Sequence, residues 1–490
     1  MAEAWLDPSQ YEPLLEAFSP LANLLLAPLG AVFRDQQRNA TERDLAASIL
    51  AQYAANSPAT LAELVVDAEG EQFLNLFPVL QKQGDAAARE ILQGLVRTHP
   101  DADLPQMARL ALGRRRAGAA IALLKQGGRE AIFDALRGDT GGGLRGDDPE
   151  ARTQFIHRCR ARGVAPAELL DCVTRAETVR QTKTGAARWT DDGVLFGLLL
   201  ALGEFDLTDL PEAHRGAFVE QLANWYGSDP SSAIHGATGW LLRRWKNDAL
   251  ARKVDQTPLA YAPDRQWYTQ RFVVPPTCGA SNVGRNSSLT PSPTPHEGGT
   301  TDIHITFVVF PAGEYLIGSA PDEADRQADE RLHRVKLMRP LAVGDREITW
   351  EQIRSFDGAN NTNRHDAWEK QLSRQLSREE PAFGVSWFEA VSYCRWLTEQ
   401  AHMPESDQCY VDPQTLAKDA EGNPKDWPRS EGYSIADGSR MGSGLPRWNE
   451  HGIFVRQRSA TPGTLWLVFG KLRKAVACRG PTAAKRAWLV

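Results

Sequence analysis

The chain has little of what would identify a small secreted protein, a membrane protein or a nucleotide enzyme. Its six cysteines, Cys159, Cys172, Cys278, Cys394, Cys409 and Cys478, are scattered over 490 residues with no CxxC pair. That pattern argues against a disulfide framework and a structural zinc site, and it makes the reducing cytoplasm the expected setting. Met1-Ala2-Glu3-Ala4-Trp5 has neither the basic nor the apolar segment of a secretory signal. No apolar run is read as reaching the roughly 20 residues that cross a bilayer, so no membrane partner is expected. Gly141-Gly142-Gly143 follows no strand and precedes no Gly-Lys-Ser/Thr, which makes it an inter-helix loop rather than a phosphate cradle. A glycine-rich loop after a strand, H-R-D and D-F-G are all missing, which excludes a protein kinase. With 42% hydrophobic and 24% charged residues the composition is that of a globular protein, long enough for two or three domains.

Residues 1–265 read as an all-α scaffold of paired amphipathic helices. Thr41 with Asp44 resembles a capping box, followed by Leu45, Ile49, Leu50 and Tyr53 on one apolar face. Asn56-Ser57 ends that helix and Pro58 opens the next, where its missing N–H costs nothing; Leu61, Leu64 and Val65 form its stripe. The pattern returns in Ala117–Leu124 with Glu130–Leu136, after Pro149, after Pro166, in the apolar Val194–Leu202, after Pro211 and after Pro230. One pair cannot bury its own face, so stacked pairs are the physical solution, and their spacing resembles HEAT-type repeats. Such a stack is expected to bind a protein partner. His235, on an apolar helix face, is expected as a packed core histidine, and Arg114-Arg115-Arg116 as a solvated basic face. The segments 199–205 and 234–245 are similar to bacterial multidomain chains in which a serine/threonine kinase precedes helical repeats, a possible link to kinase signalling.

Residues 266–300 are expected to be a disordered linker. From Pro275 to Thr300 the chain is Pro, Ser, Thr, Gly and Asn with almost no large apolar residue, too little to offset the entropy of ordering a backbone.

Beyond it, residues 301–433 carry ordered motifs. Phe307–Ser319 reads as strand, turn and strand, with Pro311 and Gly313 in the turn and Gly318 near its end. An acidic loop (Asp322, Glu323, Asp325, Asp329, Glu330) leads to an alternating strand, His333–Leu337. Glu347-Ile348-Thr349 opens a helix through Ile353 and Phe356. Ser386, an N-cap with Glu389 three residues on, opens a helix whose face is Ala390, Tyr393, Cys394 and Leu397, preceded by Trp387 and carrying Trp396. These stretches resemble P-A-G-E-F-x-M-G-S, E-V-T and V-S-W-x-E-A-x-x-Y-C-x-W-L of the formylglycine-generating enzyme (sulfatase-modifying factor) family.

The resemblance implies a partial α+β domain of C-type-lectin-like fold. It also implies, in active relatives, oxidation of a sulfatase cysteine to formylglycine with copper and oxygen through a cysteine pair. That pair belongs to the last third of the family's domain, beyond the aligned motifs. No catalytic or copper-binding residue is therefore assigned, and no cofactor is expected in the chain as written. Cys394 is expected to be a small buried hydrophobe.

The pattern stops at Tyr433. Where the family continues R-L-P-T-E-A-E-W-E, the chain reads Ser434-Ile435-Ala436-Asp437-Gly438-Ser439-Arg440-Met441-Gly442. Moving the frame forward one nucleotide lets synonymous codons spell R-L-P-T-E-A-E-W-E-V-A-C-R, and Met441-Gly442 forces Trp without codon freedom. Leu465–Arg473 can spell Y-G-W-Y-L-A-N-S-E, and Ala484–Val490 can spell P-N-E-L-G-L-F. Residues 434–490 are thus read as an out-of-frame tail, the alternative being a divergent one. They carry ten Lys or Arg and two Asp or Glu, a net +8 in a chain of −6. A shifted frame makes charge arbitrary, so no nucleic acid is expected as a partner.

Overall fold

The computed structural model describes residues 11–84, 86–101, 104–137, 149–183, 186–273, 302–317, 333–338, 340–359, 364–385, 387–405, 412, 415, 454–457 and 465–468. The chain divides into two units, Met1–Asp248 with 314–335, and Ala249–Gly313 with Lys336–Trp488. The first is helical apart from residues 314–335; the second contains a five-stranded sheet.

In the helical unit the expected helices are present: Ala40–Tyr53, Pro58–Asp67, Gln106–Lys125, Glu130–Leu136, Glu150–Arg158, Pro166–Gln181, Ala186–Leu202, Glu212–Ser228 and Ser232–Arg244. Their apolar stripes are sealed: Ile49, Leu50, Leu61, Val65, Phe155, Leu169, Leu198, Leu222, Ile234 and Leu241 are all buried. Each such side chain contributes roughly 1.5–3 kcal/mol. The first cap differs from the expected one. Asn39, not Thr41, accepts the Glu42 N–H at 2.8 Å, and Asp44 instead accepts from Gln72 Nε2 at 3.1 Å. Thr41 already lies inside the helix, where its hydroxyl has no free amide to serve. Gly141–Gly143 lies outside the described residues.

Before these helices, Tyr11–Phe18, a 3-10 turn at Ser19–Leu21 and Ala22–Arg34 follow one another. They give a run, Glu12–Arg34, of 23 residues that is long and apolar enough by composition to cross a membrane. The sequence reading missed it because Ser19, Pro20, Asn23 and Pro28 interrupt the apolar string without ending the helix.

Two buried arginines tie helices that are far apart in sequence. Arg162, 1% exposed, donates to the Val66 carbonyl at 3.3 Å and to the Ala68 carbonyl, acceptors left open at the end of the Pro58–Asp67 helix. Its guanidinium lies over the Phe73 ring at 5.3 Å, and burial pulls its pKa down to about 9. Gly118 makes room for it: a Cβ there would lie 2.6 Å from Arg162 Nη1. Arg180, fully buried, donates to both carboxylate oxygens of Asp229 at 2.6 Å and to Asp192. Burial works against its charge, but the bonds to Asp229 and Asp192 outweigh that and raise its pKa.

His235 is 2% exposed. Its Nδ1 donates to the Tyr226 carbonyl at 2.7 Å, and its ring stacks on Tyr226 at 4.3 Å. The expected solvated face at Arg114–Arg116 is corrected. Arg116 is 3% exposed and donates to the Val96 carbonyl at 3.1 Å, and Arg115 pairs with Glu63 and Asp67. These residues face neighbouring helices whose ends supply acceptors.

In the second unit, β1 (Trp267–Phe272), β2 (Ile303–Phe310), β5 (Leu341–Gly344), β6 (Phe454–Gln457) and β7 (Leu465–Val468) form one antiparallel sheet in that order. Between β2 and β5 in the chain, β3 (Gly313–Ile317) and β4 (His333–Leu337) pair as a separate two-stranded sheet. β1 pairs with β2 from Trp267↔Val308 to Phe272↔Ile303, and the Thr269 and Thr306 hydroxyls lie 3.0 Å apart across the pair. This corrects the expected domain map. Residues 267–272 lie inside the span expected as linker, yet they are a strand of the sheet. The unit boundary falls at Asp248/Ala249 rather than at 265. Strand pairing supplies the reason, because β1 satisfies its backbone along β2 and, at Thr269, against Leu259.

Candidate functional site

Two of the motif segments meet where the sheet is covered by helices. Glu347-Ile348-Thr349 runs beside Pro381-Ala382: Thr349 bridges Pro381, Ala382 N–H donates to the Ile348 carbonyl at 2.8 Å, and Trp350 N–H donates to the Glu380 carbonyl at 3.0 Å. Thr349 then starts the helix Trp350–Ala359 with a reciprocal cap. Its N–H donates to Gln352 Oε1 at 3.0 Å and its Oγ1 accepts from Gln352 N–H at 3.3 Å. Gln352 Nε2 also donates to the His304 carbonyl on β2 at 2.7 Å. One threonine and one glutamine thus fasten loop, helix and sheet together.

The third motif forms the helix Trp387–Gln400. Ala390, Tyr393, Cys394 and Leu397 are all buried, the face expected from the spacing. The Tyr393 hydroxyl donates to the Gln352 carbonyl at 3.3 Å. Its ring meets Phe356 edge-on at 5.5 Å and stacks on Trp396 at 5.9 Å. Burial, then the neighbouring Cys394 and Asp357, pushes its pKa well above the usual tyrosine value. Trp350 meets Phe383 at 5.3 Å and His365 at 5.6 Å. Gly384 has φ +68°, and a Cβ there would fall 2.6 Å from Trp368 Nε1, so glycine is required. Asp357, 4% exposed, pairs with Arg364 at 2.9 Å, and Arg364 reaches Glu389 at 3.0 Å.

The remaining motif residues are spread out. Pro311 is exposed, Gly313 opens β3 and Glu347 is half-buried. Gly318, Ser386 and the acidic loop Asp322–Glu330 lie outside the described residues, as does the Trp387 side chain. Trp350 and the Asp357–Arg364 pair were not singled out from sequence, whereas Phe356 was expected on its helix face and is buried there. The signal was present in Trp350, the residue that follows the Glu347-Ile348-Thr349 motif.

Among the described residues of this unit, Cys394 is the one cysteine, an unoxidised thiol 1% exposed on its helix. A copper ion held by soft ligands needs two thiolates that reach it. The described residues do not fit that group, and no step is derived through it. Cys278, Cys409 and Cys478 lie outside the described residues.

His365, Asp366 and Glu369 bring three donor atoms within 4.8 Å of one another. Their bonds are local. His365 Nε2 lies 3.2 Å from the Leu376 carbonyl, which cannot donate, so that nitrogen carries the proton. Glu369 Oε1 accepts the Leu376 N–H at 2.8 Å. The trio clasps the turn that follows Leu372.

The motif residues, β2, β5 and the helix Trp387–Gln400 are all on one segment. Residues 297–436 match the family model of the sulfatase-modifying factor enzyme 1-like domain. The sulfatase-modifying factor match ends three residues past Tyr433, whereas the sheet extends upstream of residue 297 to β1 and downstream of residue 436 to β6 and β7, inside the stretch 434–490 read from sequence as out of frame. The solved structure of PvdO from Pseudomonas aeruginosa is similar at 21% identity over 27% of this chain, with a TM-score of 0.16. The match covers 54% of the PvdO chain, so this chain spans about half of that relative. No curated protein matches the chain.

Proposed function

We propose that the chain is a HEAT-like helical scaffold bearing an incomplete sulfatase-modifying-factor domain of C-type-lectin-like fold, and that it binds a protein partner rather than oxidising one. The observation that carries this reading is the coincidence of two breaks. The family match runs to residue 436, and the motif string fails at Tyr433, where synonymous codons read one nucleotide forward can spell its continuation. The family's cysteine pair would lie beyond that break. Cys394, sealed under Tyr393 and its helix, supplies neither an exposed thiolate nor a partner for one. The reading takes the cytoplasm as its setting, which suits the three buried thiols Cys159, Cys172 and Cys394. A separately encoded serine/threonine kinase is one candidate for the partner.

Two measurements test it. Sequencing the gene through the codons for Gly432–Arg440 is expected to reveal a one-nucleotide displacement whose removal restores R-L-P-T-E-A-E-W-E. An unaltered gene whose tail folds as a protease-resistant part of the domain overturns the displaced frame. The protein as written is expected to consume no oxygen with copper and a cysteine-containing peptide. Turnover in that assay overturns the incomplete domain.

A further inference from the structure

The sheet continues into the stretch that follows the break at Tyr433. β5, Leu341–Gly344, is paired along one side with β2, from Phe307↔Gly344 to Phe310↔Leu341. Its other side is taken by β6, with Val343 opposite Arg456 and Ala342 opposite Gln457. β6 then pairs with β7, from Phe454↔Val468 to Gln457↔Leu465, and β7 lies beside the helix Trp387–Gln400. Phe454, Val455, Trp466 and Val468 are aromatic or β-branched, and the sequence between the two strands carries the turn residues Pro462-Gly463. Neither a charge nor a proline stands in Leu341-Ala342-Val343-Gly344 to turn a strand away.

We propose that the outer edge of β5 is a strand-acceptor site that reads backbone rather than side chains, and that residues 454–457 of the same chain fill it. A strand added to a sheet edge is held by main-chain N–H and C=O groups, which every residue but proline carries in full. The demand on sequence is then only that the side chains tolerate an extended backbone. A displaced frame scrambles side chains and leaves the backbone as it was, so a segment beyond the family match can still complete the sheet. The hold is short. Two residue pairs join β6 to β5, where six join β1 to β2. Sequencing the gene decides whether the frame is displaced; pairing in the protein as written decides what fills the edge, whichever way the gene reads.

Two double variants of the full chain test the register: Ala342→Cys with Gln457→Cys, and Val343→Cys with Arg456→Cys. Adjacent pairs in an antiparallel ladder alternate between wide and close, so one of the two presents the closer spacing. That one is expected to form a disulfide within a single chain, read by mass spectrometry of the unreduced digest. Ala342→Cys with Phe454→Cys, three residues out of register, is not. Amide exchange tests what the edge reads. Arg456→Pro is expected to speed exchange in Leu341–Gly344 about 10-fold. β6 has a strand on each side, so a proline breaks a ladder whichever way the missing N–H would point. Arg456→Thr is expected to leave exchange at the wild-type rate. Ile303–Phe310, between β1 and β5, reports that the sheet is still folded in each variant. No disulfide in either double variant overturns the proposal, as does one that joins two chains, which gives the edge to a second copy. So does Arg456→Thr speeding exchange as much as Arg456→Pro, since side chains would then hold the strand.

Discussion

The helical and sheet-containing units solve the same problem, fastening segments distant in sequence, with different chemistry. The helical unit uses buried arginines. Arg162 reaches helix-end carbonyls 94 and 96 residues away, and Arg180 holds Asp229 from 49 residues away. The sheet-containing unit uses aromatic rings, with Trp350, Phe356, Phe383, Tyr393 and Trp396 in edge and stacked contacts over β2. For Arg162 and Arg116 the difference follows from backbone bookkeeping. Every helix ends with open carbonyls that need donors, and a stack of short helices has many ends. A sheet satisfies its backbone between strands, so its cover has only area to bury.

The contrast breaks most sharply at Arg180. Arg180→Met leaves Asp192 and Asp229 buried without their cation, and about 3–5 kcal/mol of stability is expected to be lost. Urea unfolding monitored by amide exchange should show the loss in the helices Pro166–Gln181 and Ser232–Arg244, with the strands unchanged. Gly118→Ala is expected to cost about 1–3 kcal/mol, since the new methyl must displace Arg162 or the Val66 carbonyl; the same denaturation curve reads it. On the sheet side, Thr349→Ala removes a single cap and is expected to cost about 0.5–2 kcal/mol, seen as faster exchange in Trp350–Ala359. The smallest effect is a pH slope. Burial lowers the His304 pKa, with Asp302 opposing, so the folded state prefers the neutral ring. Its contribution is complete above the unfolded value near 6.5 and is lost as pH falls through the lower folded value. His304→Gln is expected to flatten stability against pH between those two values, measured by thermal melts from neutral to mildly acidic buffer.

The parts that were legible in sequence are those where side-chain period and burial coincide. Ile49 with Leu50, Leu61 with Val65, and Ala390 with Tyr393 and Cys394 lie on the faces their spacing predicts. Arg116, Arg162 and Arg180 were not legible, because an arginine reads as surface until the carbonyl or carboxylate it serves is located in space. β1 was missed for a related reason. Its partner lies beyond the Pro275–Thr300 stretch, and no local pattern announces a pairing of that span. The apolar run Glu12–Arg34 escaped notice because its prolines and alanines look unremarkable one at a time.

The pairing of β1 with β2 changes what the intervening stretch is. β1 and β2 belong to one sheet, so a protease cut between Phe272 and Ile303 would leave both strands held by their ladder. A fragment begun at residue 297, where the family match starts, would strip β1 and lay bare the backbone of Ile303–Phe310. That strand, Ile-His-Ile-Thr-Phe-Val-Val-Phe, is β-branched and aromatic along most of its length, the kind of open edge that recruits other chains into aggregates. A fragment begun at Ala249 keeps the edge covered.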